Sequence, residues 1–413
     1  MYLRGSKWQM QRRKKRRRSN PALIVLLLLL IAAMFFFNQY VAPTIPLPDA
    51  MTPTPTVGAE AFISQAEEQF NDGNLIQAVN SYQQAVIADP DNPSIYIALA
   101  RTEALTGRYE AAETSVRNAL LLSPENPEGH ALLGWILNFL GQPEEGIQSI
   151  QHALLLEEDN ALARAFYAEI LVDLDDFERA GEESRKAMEL GPDMLEVRRA
   201  RGYVLEQTGN YEEAIIQYEA ALNINDRIAN LHLALGRTYR ALGLFTQAID
   251  AFVRADALDP SNPLPDTYTG LIYINTGEYG RAVQAMTQAA QEDPSNPYRH
   301  ANLGAAYYHN QQPDEAIAAF ALAIHGGITE TGTPVQGLPL DYGAEATYYY
   351  LYGLSLARAG RCAEALPISQ ALIANVPADE FAVANAEAML SICEEEAASI
   401  PTPTPASDEE PSG

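Results

Sequence analysis

Cysteine is nearly missing from this chain, with two residues in 413. That count excludes a Cys-rich zinc framework and a disulfide-dense small scaffold. Lysine is almost as scarce. Beyond Lys7, Lys14 and Lys15 there is only Lys186, flanked by Arg185 and Ala187. A phosphate loop of the GxxxxGK[ST] kind needs its lysine to reach the phosphates, so that motif is absent. Positive charge is also thin past the first twenty residues. Those twenty hold nine basic side chains (Arg4, Lys7, Arg12, Arg13, Lys14, Lys15, Arg16, Arg17 and Arg18) and no acid. Setting them aside leaves 18 basic against 54 acidic residues, a net of −36 where the whole chain carries −27. Phosphate binding needs clustered positive charge, so no nucleic-acid partner is expected.

Catalytic motifs are lacking too. None of the six histidines forms an HExxH pair, and no paired-Cys spacing exists. His300 and His309 are nine apart, on opposite faces of a helix. Gly353-Leu354-Ser355-Leu356-Ala357 partly mimics a nucleophile elbow, but it falls inside a predicted helix with no strand before it. The expectation is a chain that is not an enzyme, with no catalytic residue, no metal and no small-molecule cofactor.

One long hydrophobic run is present. Residues 22–37 are apolar throughout, and no charge occurs between Arg18 and Asp49. Extended to Ala42, the run reaches the ~20 residues that span a hydrocarbon core. The basic cluster before it favours a cytoplasmic N-terminus. A cleaved signal peptide needs small residues at −3 and −1, and Tyr40 would stand at −3 for cleavage after Ala42. The reading is an uncleaved single-pass signal anchor at 21–42, behind a basic arm at 1–20. Prolines and threonines fill 43–58, which favours an extended linker. They recur in the acidic tail, 399–413, which reads as disordered.

Between linker and tail the chain repeats every 34 residues. Counting from Ala59, position 8 is Ala66, Ala100, Gly134, Ala168, Gly202, Gly236, Gly270 and Gly304. Position 27 is alanine in all eight copies, from Ala85 to Ala323. Position 15 is glycine except at Asp175 and Gln311. Small residues at 8, 20 and 27 let two antiparallel helices approach. Glycine at 15 ends the first helix, and proline near position 32 stops the second.

This pattern resembles the tetratricopeptide repeat, a 34-residue helix–turn–helix unit. The resemblance implies an all-α, right-handed solenoid: eight repeats at 59–330, an insert loop at 331–345, a ninth repeat at 346–379 and a capping helix at 380–398. It also implies binding of proteins or peptides in a concave groove lined by first-helix positions 2, 5, 9, 12 and 13. On those positions stand Trp135, Asn138, Arg199, Tyr203, Arg237 and Arg240. Such a group could form a patch for an acidic or carboxylate-ended segment. It could equally be a solvated face whose arginines pair with Glu169 and Glu206. The lysine and asparagine pattern of a chaperone-type carboxylate clamp is not matched. The glycine-rich insert reads either as a contact loop or as a neutral insertion.

In this repeat family the end of a first helix lies beside the start of the preceding second helix. That makes Cys362 and Cys393 neighbours, and outside the cytoplasm it favours a disulfide over two buried thiols. The functional expectation is a membrane-tethered, non-catalytic interaction scaffold displayed outside the cytoplasm, with a bacterial envelope setting. The alternatives are a cytoplasm-facing anchored regulator and an accessory subunit of an envelope enzyme such as a glycosyltransferase.

Overall fold

The structure is a computed structural model that describes residues 21–36 and 58–399. The basic arm, residues 37–42 of the expected span, the linker up to residue 57 and the tail from residue 400 lie outside the described residues. The chain divides into two units, Met1–Val57 and Gly58–Gly413.

In the first unit, helix α1 covers Pro21–Phe36. Its 16 described residues extend about 24 Å at 1.5 Å each. Among the described residues no helix is long and apolar enough to cross a membrane. The remainder of the expected span, residues 37–42, lies outside the described residues.

The second unit is a run of antiparallel helix pairs. The first three pairs are α2 (Ala59–Asn71) with α3 (Leu75–Ala88), α4 (Pro93–Leu105) with α5 (Tyr109–Leu122), and α6 (Pro127–Phe139) with α7 (Pro143–Leu156). The next three are α8 (Ala161–Asp173) with α9 (Phe177–Leu190), α10 (Leu195–Gln207) with α11 (Tyr211–Ile224), and α12 (Ala229–Ala241) with α13 (Phe245–Leu258). Then come α14 (Leu264–Thr276) with α15 (Tyr279–Glu292), and α16 (Pro297–His309) with α17 (Pro313–His325). After an irregular stretch, α18 (Ala344–Arg358), α19 (Cys362–Asn375) and α20 (Glu380–Ser399) end the unit.

Local chemistry explains these boundaries. Asn92, Asn126, Asn160 and Asn296 each accept a backbone N–H in the first turn of the helix that follows, which satisfies an orphan donor. Position 15 adopts positive φ in all eight pairs, including Asp175 and Gln311 at 60°. Those two residues hold a turn that glycine occupies elsewhere. Within a pair, glycine at position 8 receives a large side chain from position 24. A Cβ at Gly236 would stand 2.5 Å from Phe252, and one at Gly202 would stand 2.7 Å from Tyr218. Phe252 and Tyr218 are almost fully buried there.

The insert departs from a purely helical fold. Gly327–Ile328 (β1) pairs antiparallel with Pro334–Val335 (β2). Val335 and Leu338 are buried, Leu338 donates its N–H to Ala323 O at 2.9 Å, and Tyr349 donates to Leu338 O at 2.8 Å. The segment fills space between α17 and α18, and burial of its two apolar residues fixes its path. At the far end, Cys362 and Cys393 form a disulfide that ties α19 to α20.

The array also folds back on itself. Asn225 Nδ2 donates to Phe70 O at 2.9 Å, across 155 residues. Arg101 Nε meets Glu196 Oε1 at 2.5 Å, across 95. Gly73 lies so close to Arg227 that a Cβ would stand 2.3 Å from Arg227 Cβ. The first two pairs thus touch the fifth and the start of the sixth. The tight bend runs through α6, α8 and α10, which pack directly on one another, with Ala131, Ala163 and Ala165 fully buried.

Candidate functional site

The bend places six first helices around a cavity of about 310 Å³. Tyr109, Trp135, Phe139, Tyr203 and Leu233 supply most of its apolar wall, and Glu169, Asp173, Arg199 and Arg237 supply the charge. Four of the six groove residues named from sequence come together there. Trp135, Arg199, Tyr203 and Arg237 line the cavity itself, and Asn138 joins them through Asp173. Arg240 does not line it. Its guanidinium stacks 5.1 Å from the Tyr268 ring centroid, and its Nε is buried without a hydrogen-bond partner.

Trp135 is not an open anchor but is 2% exposed. Phe166 stacks on it at 4.8 Å, and the Arg199 guanidinium lies 4.2 Å from its ring centroid. Its indole Nε1 donates to Glu169 Oε2 at 2.7 Å. Arg199 donates to the same carboxylate from Nε at 3.0 Å and from Nη2 at 2.8 and 2.9 Å. Burial pushes the Glu169 carboxyl above its usual range, against the pull of Arg199 and Trp135.

A second ion pair repeats the arrangement one pair further along. Arg237 donates to Glu206 Oε1 at 2.9 Å and Oε2 at 3.0 Å, and Tyr218 donates to Oε2 at 2.7 Å. Burial alone would lower the Arg237 guanidinium, but Glu206 outweighs it and raises it. Both pairs match the solvated-face alternative in partner choice, yet the glutamates are buried rather than solvated. The arginines therefore offer no surplus positive charge to an acidic segment.

Asp173 completes the set. Its carboxylate accepts from Asn138 Nδ2 and from Tyr203 Oη, each at 2.5 Å. Burial and this carboxylate push the Tyr203 hydroxyl far above the usual phenol range. On the same cavity lining, Phe139 stacks face to face on Tyr109 at 4.4 Å and stays 46% exposed. Asp173 and Phe139 both occupy position 13. That groove position was legible in the sequence, but no motif around either residue marked it.

Other candidates resolve into packing. Ser355 is 2% exposed and donates to Leu351 O at 2.7 Å within α18. His130, His232 and His300 each bond the carbonyl six residues earlier, at 2.7 to 2.9 Å. They tie a first helix to the loop before it. Carboxylate oxygens of Asp256, Asp266 and Glu292 lie within 4.8 Å of one another, a hard-donor set. Burial, then Glu292 and Asp256, push the Asp266 carboxyl up to about 6.

Comparison with known proteins agrees with the helix-pair architecture. Family models described as tetratricopeptide repeat match residues 69–136 and 273–325, residues 168–230 and 199–263, and residues 127–160. The chain belongs to the tetratricopeptide repeat family. No curated protein matches it significantly. Among solved structures, the APC/C hetero-tetramer Cut9-Hcn1 is similar at 16% identity, with a TM-score of 0.48. That likeness covers 58% of this chain and 48% of the other, so this chain spans about half its length. A human IFIT1 dimer with PPP-AAAA is similar at 16% identity and a TM-score of 0.45, covering 65% and 72%. A tetratricopeptide repeat protein from Parabacteroides merdae is similar at 17% identity and a TM-score of 0.39, covering 60% and 98%.

Proposed function

We propose that this protein is a non-catalytic interaction scaffold that receives a segment of a partner protein on its concave face. The observation that carries the reading is the convergence of Tyr109, Trp135, Phe139 and Tyr203 with oriented polar groups on one cavity. Pre-positioned aromatics beside a few fixed polar atoms are what a binding pocket needs. Partners captured by the wild type should be reduced in Tyr203→Phe, with the helical circular dichroism signal retained. Unchanged yield in a correctly folded Tyr203→Phe protein would sink the reading.

The proposal includes a membrane tether at 21–42, with the arm in the cytoplasm and the repeats outside. The apolar run behind nine basic residues supports it, and the Cys362–Cys393 bridge suits an oxidising compartment. Protease added to intact spheroplasts should then digest the repeats without detergent. Protection until the membrane dissolves would place the repeats in the cytoplasm instead.

A further inference from the structure

Resting on that reading, we infer that the cavity takes the cationic side chain of an arginine or lysine from the partner, not the acidic group that its arginines suggest in sequence. Three observations carry it. First, the two guanidinium groups are already matched. Arg199 is held by Glu169 and Arg237 by Glu206, which leaves the Asp173 carboxylate as the unmatched charge of the set. Second, Asp173 is fixed in place by two neutral donors, Asn138 and Tyr203. Neither cancels its charge, and both leave lone pairs free for a further donor. Third, a ring lining the same cavity stays partly open. Tyr109 stacks on Phe139, Trp135 meets it edge to face at 5.3 Å, and Phe139 remains 46% exposed. A carboxylate and a partly open ring on one cavity favour a cation with an apolar stem, because the ring quadrupole and the charge attract the same group.

The protein already uses this chemistry in its own wall, where Arg199 lies over Trp135 and contacts Glu169. An incoming arginine would repeat that arrangement on Phe139 and Asp173. The volume of about 310 Å³ is enough for one long side chain. The net −36 of the chain beyond residue 20 attracts a basic partner from a distance.

The test uses the full chain with Trp8→Phe, which leaves Trp135 as the sole tryptophan. Its fluorescence is followed during titration with N-acetyl-arginine methylamide, the neutral N-acetyl-norleucine methylamide and the anionic N-acetyl-glutamate methylamide. The arginine probe should saturate, with half-saturation on the order of 1 mM, at least tenfold tighter than the other two. Asp173→Asn should weaken it at least tenfold while the circular dichroism spectrum stays unchanged. The inference is overturned by tighter binding of the glutamate probe, by equal binding of the norleucine probe, by an unaffected Asp173→Asn protein, or by no binding. A partner lost from Tyr203→Phe in a protein that ignores the arginine probe would keep the scaffold reading and remove only the cation.

Discussion

Arg199→Ala is expected to lower the stability of the central repeats by about 3–5 kcal/mol at pH 7. Arg199 is 13% exposed and its partner Glu169 7%, side chain for side chain. Removing the guanidinium strands a buried carboxylate that keeps only the Trp135 indole as donor. It also strips the cation from the Trp135 ring, where it sits at 4.2 Å. The stranded group has one escape, which is to take a proton. Glu169 is already pushed up by burial, and without Arg199 it rises further. A raised carboxyl favours the folded state below the unfolded value and loses that contribution as pH rises through the folded value. The deficit should therefore be smaller at pH 5 than at pH 8. Urea denaturation of both proteins at the two pH values measures it. The double variant Glu169→Gln/Arg199→Met should recover more than half of the loss, since it leaves no buried charge. A deficit below about 1 kcal/mol at pH 7, the size of an exposed pair, would show that the triad is solvated.

Breaking the Cys362–Cys393 bridge comes next in size. The cysteines are 31 residues apart in sequence, and in the chain-entropy model such a loop is worth about 3–4 kcal/mol. The effect should stay local, because the bridge lies at the C-terminal end of the array, away from the contacts that join the first pairs to the fifth. Helix α20 packs on α18 and α19, and it covers their apolar face with Ala382, Ala386 and Met389, all fully buried. In the Cys362→Ala/Cys393→Ala protein, amide exchange in α19 and α20 should quicken on the order of 100-fold. Exchange in α6, α8 and α10 should not change. Equal exchange in α20 with and without the bridge would mean that packing alone holds the cap.

Much of the fold was written in residue type. Alanine at position 27 marks the helix contacts, glycine or a strained Asp175 or Gln311 marks the turn, and asparagine before a helix marks its start. These are local rules that act within a few residues, so a single sequence reveals them. The insert was less legible. Its glycines announced a break, but the burial of Val335 and Leu338 depends on the walls provided by α17 and α18.

The candidate site divides in the same way. The resemblance to the repeat family placed Trp135, Asn138, Arg199, Tyr203, Arg237 and Arg240 on the inward face of their first helices. Their charge state did not follow. The pairing of Arg199 with Glu169 is set across 30 residues, and that of Arg101 with Glu196 across 95. The first joins neighbouring first helices, α8 and α10, and the second exists because the bend brings the first pairs against the fifth. Curvature is the sum of small rotations between successive pairs, each fixed by the shapes of side chains at several contacts at once. The sequence by itself determined the repeat, the helices and which residues face inward. Only the tertiary structure decided that the first helices surround a cavity, that its arginines are neutralised, and that Asp173 on its lining is left as the unmatched charge.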